Sequence, residues 1–316
     1  MGVLDVVPGA LHDLVLRVAP DHVPAVAGDR VGHRRPPFVV RPAIVAPLPS
    51  IYKRHWGYIG VLSGEAKKEG TRIQLCGQFV VRVEGRRIER ELPGRQGRLL
   101  FAFLVLNRDK PESRDELIEA IWPGELPSDP QGALSPLISK LRRLLPGGWL
   151  EGRSELRLML PAEAKIDVES AQEAVHRAEA MLEAKRWADA CGPSLLAQNV
   201  TERPLLPSEV APWLEDARRE VKDLRHRAME AAVRAALGLG GTEIRWKLPV
   251  AKRLVKEAPY RESGHRLLME SLAAEGNIAE ALQAFEELRQ LLRDELGTAP
   301  SAATQEVHAR LLAAAS

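Results

Sequence analysis

Cysteine is nearly missing from this chain. Cys76 and Cys191 are the only two in 316 residues, too few for a disulfide framework and without metal-ligand spacing. Each is expected to act as a small buried hydrophobe. No apolar run approaches the roughly 18 residues that a membrane span needs. The first residues, with Asp5 and Pro8, lack the basic start and unbroken apolar core of a signal peptide, so a cytoplasmic location without membrane contact is expected. No Gly-x-x-x-x-Gly-Lys phosphate loop occurs. The run Gly238-Leu-Gly-Gly241 looks like one at first sight, but it follows a helical stretch and lacks the lysine, so it reads as a helix stop. The eight histidines are scattered, and His265 reads as packed or capping. These absences exclude the common signatures of an enzyme, a metal site or a cofactor, and the chain is expected to have none of the three.

The most telling absence is acidic charge in one short segment. Gly132-Ala-Leu-Ser-Pro-Leu-Ile-Ser-Lys-Leu-Arg-Arg-Leu-Leu145 carries no carboxylate. Leu134, Ile138, Leu141 and Leu145 recur at helical spacing and form one apolar stripe, and the remaining surface holds Ser135, Ser139, Lys140, Arg142 and Arg143. A helix over 131–145 of this kind suits the DNA major groove, which admits an α-helix and is lined by phosphates. The plainer alternative is a solvated amphipathic helix.

The neighbouring segments favour the first alternative. Ile73–Gly85 reads as two short strands broken at Gly77, with a turn at Glu84-Gly85, and Arg86–Leu92 as a third strand. A helix is expected from about Arg95 to Leu106, with Leu99, Leu100, Phe103, Leu104 and Leu106 inward. Ser113 and Glu116 have the spacing of a capping box that opens a helix to Trp122. A Pro- and Gly-containing loop, Pro123–Pro130, leads into the basic helix, and Trp149–Leu160 reads as a hairpin turning at Gly152–Ser154. Sheet, three helices and hairpin together make a winged helix-turn-helix.

From Asp167 onward the periodicity is helical throughout, with helices expected near 167–184, 186–199, 211–237, 244–257, 261–275, 278–296 and 301–314. In the pair 261–275 and 278–296, Gly276-Asn277 makes a tight corner, and Ala281, Ala284 and Phe285 permit close antiparallel packing. This is the helix-turn-helix unit of tetratricopeptide repeats, and stacked units leave a groove for a peptide or partner helix. The fold class is therefore mainly α: a winged helix-turn-helix over 71–160, followed by an α-helical solenoid over 161–316. Residues 1–70 hold eight prolines, which interrupt any helix, and read as a Pro-rich, disordered extension. Its Arg34-Arg35 is a basic arm or a solvated linker. Charge is uneven. Residues 71–160 hold 15 Lys and Arg against 12 Asp and Glu, and residues 161–316 hold 21 against 25. That balance fits one DNA-facing and one protein-facing domain.

The run Gly94-Arg-Gln-Gly-Arg-Leu-Leu-Phe-Ala-Phe-Leu-Val-Leu-Asn107, the helix Ser113–Trp122 and Leu141-Arg-Arg resemble the OmpR-type DNA-binding domain of the SARP transcriptional activators. Glu209-Val-Ala-Pro-Trp213, Ala258-Pro-Tyr-Arg-Glu-Ser-Gly-His-Arg-Leu-Leu-Met269 and Leu291-Leu-Arg-Asp-Glu-Leu-Gly297 resemble the bacterial transcriptional activator domain that follows it. The resemblance covers roughly residues 71 to 312. It implies a transcriptional regulator, expected to activate, that binds double-stranded DNA and contacts RNA polymerase, with a possible homodimer on direct repeats.

The resemblance also implies site residues. Ala133, Pro136, Leu137 and Lys140 form the groove face, with Lys140 suited to guanine O6/N7. Ser135 and Ser139 lie beside them. Arg142 and Arg143 occupy phosphate-gripping positions, Arg153 the wing tip, and Arg157 points outward toward phosphate or an acidic neighbour. Glu125 and Asp129, in the loop after Trp122, are candidates for polymerase contact, or else parts of a rigid connector. Pro136 and Leu137 depart from the family pattern. If Ser135 caps the helix, Pro136 falls in the first turn, where proline is tolerated; otherwise the helix is bent. The usual Gly-Tyr of the wing is Glu155-Leu156 here. The alternative function is a helical protein-interaction adaptor whose winged domain does not bind DNA.

Overall fold

The computed structural model describes residues 70–315. The expectations for the N-terminal extension and for Arg34-Arg35 lie outside the described residues. Three short strands open the described residues: β1 (Arg72–Gln74), β2 (Val80–Val83) and β3 (Arg86–Arg87). Alternation sends Ile73, Val81 and Val83 inward. The β2–β3 turn has positive φ at Glu84 (47°) and Gly85 (86°), the geometry of a two-residue hairpin turn. The third strand is shorter than the expected Arg86–Leu92. Glu89 Oε2 accepts from Val81 N at 3.3 Å, the ladder position that a longer strand would have supplied.

Next comes α1 (Gly94–Leu106). Leu99, Leu100 and Leu104 are buried as expected, but so are Phe101, Ala102 and Val105, while Phe103 and Leu106 are half-buried. The helix is covered on more sides than the five inward residues of the sequence reading imply. The strand β4 (Glu112–Ser113) leads into α2 (Arg114–Ile121). Ser113 and Glu116 form the expected capping box, with Glu116 N to Ser113 Oγ at 3.2 Å and Ser113 N to Glu116 Oε2 at 2.7 Å. Trp122 ends that helix and packs half-buried against the core.

The basic helix, α3, runs Pro130–Leu144. Its cap is Asp129, whose Oδ1 accepts from Gly132 N at 2.9 Å, with Pro130 at the first helical position. The alternative with Ser135 as cap is therefore corrected. Ser135 lies inside the helix and donates its hydroxyl to Gln131 O at 2.9 Å, and Pro136 is an interior proline. Leu134, Ile138, Leu141 and Leu145 are all buried, each contributing roughly 1.5–3 kcal/mol against exposure. The hairpin β5 (Leu150–Glu151) and β6 (Glu155–Leu158) turns where expected, and β4 joins it to make a three-stranded sheet ordered β4-β6-β5.

The chain then crosses back. β7 (Lys165–Ile166) pairs parallel with β1, completing a four-stranded sheet ordered β3-β2-β1-β7. Seven helices follow: α4 (Asp167–Glu183), α5 (Trp187–Thr201), α6 (Pro212–Leu239), α7 (Thr242–Glu257), α8 (Glu262–Ala274), α9 (Ile278–Leu296) and α10 (Ala302–Ala315). Each packs on the next along the chain. The run at Gly238–Gly241 is a helix stop, with Gly240 at φ 74°. Ala281, Ala284 and Phe285 are buried behind the Gly276-Asn277 corner, and His265 is packed, its Nε2 2.9 Å from Pro259 O.

The two halves are not separated by a free linker at residue 160. β7 belongs to the first sheet, and the α5–α6 loop adds Leu205, Leu206 and Ala211, and the first turn of α6 adds Leu214, to the core around α1. Cys76 is fully buried beside that loop, bridged to Leu205, and burial pushes its thiol up to about 12. Cys191 is half-buried.

Candidate nucleic-acid interface

The stripe of α3 is anchored in the core, so the opposite side faces outward. Ser135, Pro136, Ser139, Lys140, Arg142 and Arg143 are exposed, while Ala133 and Leu137 are half-buried. Leu137 packs against the core, so its carbon surface is shared between core and solvent. Arg142 and Arg143 lie in the last turn, where cations complement the helix dipole.

The arginines divide by what they hold. Arg142 reaches from α3 to the hairpin, its Nε 3.5 Å from Leu150 O and its Nη2 bonded to Gly152 O. It braces the wing against the helix. Arg157 faces outward as expected, and within the chain its guanidinium meets backbone carbonyls rather than a carboxylate. Its Nη2 donates to Asp109 O at 2.8 Å and its Nε to Arg108 O at 3.3 Å, tying the hairpin to the loop after α1. Arg143 makes only a 3.4 Å contact to Ser139 O in its own helix. Lys140 and Arg153 are exposed, with no hydrogen bond or ion pair among the described residues. Lys140 and Arg153 are thus the cations of this surface without a partner among the described residues, Arg143 touches only its own helix, Arg142 is held by the wing backbone, and Arg157 ties the wing to the loop after α1.

Two residues outside the expected set shape the start of α3. Arg114, in the first turn of α2, donates Nε to Gln131 Oε1 at 2.6 Å and Nη2 to Ser135 Oγ at 2.8 Å. Gln131 in turn donates to Asp115 Oδ1 at 2.9 Å. This lattice locks the exposed polar side chains of the N-terminal half of α3. A cation in the first turn of a helix opposes the dipole; that was the available signal for Arg114, since such a charge needs a compensating partner. Of the loop acids, Glu125 is exposed, whereas Asp129 has its carboxylate engaged as the α3 cap.

The helical half is fastened beneath this surface by its own motif. Glu209 is buried and accepts from Arg98 Nε at 2.7 Å, with Arg95 Nε 3.5 Å away. Arg95 Nη2 donates to Val210 O at 2.5 Å. Arg218 holds the loop from the other side, donating to the carbonyls of Leu206 and Glu209 at 2.8 Å each. Behind the loop, Asp167 accepts from Leu75 N at 3.0 Å and Cys76 N at 2.9 Å. Burial pushes its carboxyl above the ordinary range, opposed by those backbone hydrogen bonds. Among the described residues, no helix is long and apolar enough to cross a membrane.

Residues 166–312 match the family described as the bacterial transcriptional activator domain. Over 224 residues the chain is 31% identical to the regulatory protein AfsR of Streptomyces coelicolor, an alignment covering 69% of this chain and 22% of that protein. Residues 166–312 belong to that domain family, and the chain as a whole is similar to the SARP-type regulators. The chain spans only about a fifth of the AfsR length. It is also 25% identical over 266 residues to the transcriptional regulatory protein MoaR1 of Mycobacterium tuberculosis, covering 77% of this chain and 79% of that one. A solved structure of Mycobacterium tuberculosis EmbR in complex with a low-affinity phosphopeptide shares the fold, with a TM-score of 0.69 at 22% identity over 77% of this chain and 65% of that one.

Proposed function

We propose that this SARP-like chain binds double-stranded DNA and regulates transcription, as an activator. The observation that carries the reading is the outward face of α3, where Lys140 and Arg143 stand exposed on a helix with no carboxylate between Pro130 and Leu144. With its opposite stripe fixed in the core, that face is presented as a rigid unit to a groove that admits one helix. Lys140 supplies donors for guanine O6/N7. Pro136 and Leu137 supply carbon for thymine methyl groups, and Ser135 and Ser139 flank them. Arg143 and Arg153 take phosphates, and Arg142 and Arg157 act by holding the wing. Glu125 in the α2–α3 loop faces RNA polymerase. The helical half serves partner contacts, with two copies on a direct repeat. The relatives' names as regulatory proteins support the regulatory part.

A second reading, a helical adaptor that does not bind DNA, is favoured by one observation: Arg142 and Arg157 both have their guanidinium groups on backbone carbonyls. Fluorescence anisotropy of the full chain on mixed genomic duplex fragments separates the two. Phosphate-driven binding weakens with salt by a slope of about 0.9 per contact, and Lys140→Ala/Arg143→Ala should weaken it strongly. Absence of binding by folded wild-type protein overturns the DNA reading and leaves the adaptor.

A further inference from the structure

Four cations stand in one row across the first sheet. Arg87 on β3 is paired with Arg82 on β2, Arg82 with Arg72 on β1, and Arg72 with Lys165 on β7. Directly paired residues point to the same face. Ile73, Val81 and Ile166 fill the other face of the same strands and are buried, so the row lies on the side turned away from the core. Arg72, Arg87 and Lys165 are exposed and Arg82 is half-buried.

Like charges placed directly opposite each other destabilise a sheet, and here the pattern repeats over three consecutive pairings. Two members of the row are engaged: Glu89 pairs with Arg87 at 2.6 Å, and Arg82 has a partner of its own. Arg72 and Lys165 have no ion pair among the described residues.

We infer that the row Arg87–Arg82–Arg72–Lys165 is a second phosphate-contact surface, which takes the sugar-phosphate backbone of duplex DNA. The inference rests on the DNA-binding reading above and adds a surface outside α3 and the wing. Neighbouring strands lie about 4.8 Å apart, so the four positions extend over about 14 Å. One DNA strand presents a phosphate per about 3.4 Å of helix axis and winds as it rises, so a straight row of this length faces part of one strand's backbone. An acidic protein partner fits less well. Protein interfaces centre on aromatic or large apolar anchors, and among the paired strand positions of this face Gln74 and Val80 are the residues beside the cations, with Glu89 against Arg87.

The test compares the full-length wild type, Arg72→Gln/Lys165→Gln, and Lys140→Ala/Arg143→Ala on duplex DNA, with anisotropy read across a salt series. Loss of two phosphate contacts reduces the magnitude of the log–log salt slope by about 1.8. The thermal midpoint should be unchanged or higher, because two like charges are removed from paired positions; a lowered midpoint with an unchanged slope would make the row structural and overturn the inference. An unchanged slope alongside loss of binding in the α3 variant overturns the second surface and leaves the α3 reading intact. Binding that survives in the α3 variant but fails in the sheet variant supports the second surface and overturns the α3 reading. Unchanged DNA binding with charge-dependent association to poly-glutamate would assign the row to an acidic protein and overturn the inference. A folded wild type that binds no duplex overturns both.

Discussion

Trp213 donates its indole Nε1 hydrogen to the backbone carbonyl of Ala120 at 3.1 Å. The same ring meets Phe103 edge-on, with centroids 5.2 Å apart. One side chain from the first turn of α6 thus touches both α1 and α2, and with Glu209 on Arg98 it fastens the helical half to the winged half. The motif Glu209–Trp213 stands out in the sequence without revealing this use, because its partners lie about a hundred residues upstream.

If this fastening contributes to stability, Trp213→Ala should cost about 3 kcal/mol, the lower end for loss of a large aromatic. Trp213→Phe keeps the ring but leaves the Ala120 carbonyl without its donor, costing about 1 kcal/mol. Urea unfolding checks the order. A Trp213→Phe protein that melts with the wild type would show that the hydrogen bond adds nothing.

The cap of α3 gives a paired prediction. Asp129→Ala should destabilise by about 1 kcal/mol, and Asp129→Asn by less, because asparagine caps nearly as well. Ser135→Ala should change stability little, since its hydroxyl binds inside an already formed helix. Guanidinium melts of the three variants decide it; equal losses at 129 and 135 would contradict the assignment of the cap.

The wing turn depends on one glycine. Gly152 has φ 86°, and a Cβ there would sit 1.7 Å from Glu155 O. Gly152→Ala should cost about 2 kcal/mol or more, because both backbone region and space are wrong. Hydrogen exchange should show faster amides in β5 and β6, with α7–α10 unchanged. Arg142→Ala should loosen the same amides more mildly, since it removes the brace without straining the turn.

Two buried histidines set a pH response. Burial disfavours the imidazolium of His226, reinforced by nearby Arg261 and opposed by Glu257, and burial likewise lowers His265 against its bond to Pro259. Both groups therefore titrate lower in the folded chain than in the unfolded one. The unfolded state binds more protons below about pH 6.5. Their contribution is flat above that value, and stability falls as pH drops through it. The thermal midpoint should be lower at pH 5.5 than at pH 7.5, and His265→Gln should shrink the difference. An identical pH response in the variant would remove His265 from this account.

Much of the fold was legible along the chain. The capping box at Ser113, the Leu134–Leu145 stripe and the corner at Gly276-Asn277 each rest on residues within a few positions of one another, and the structure contains each of them. The short third strand, the internal Pro136 and the wider burial of α1 were less legible, since each depends on what packs alongside. Of the candidate site, sequence could name the cations but not their partners: Arg142 and Lys140 look alike in a helix, yet one reaches the hairpin and the other solvent.

Sequence by itself determined the helices, their apolar faces and the acid-free surface of α3, because periodicity and capping are local and each residue carries its own preference. Only the tertiary structure decided which charges remain free, that β7 closes the first sheet, that Glu209 and Trp213 bind the two halves together, and that four cations line up across one sheet. Those outcomes depend on register and long-range contact, and neither is encoded in the spacing of any single segment.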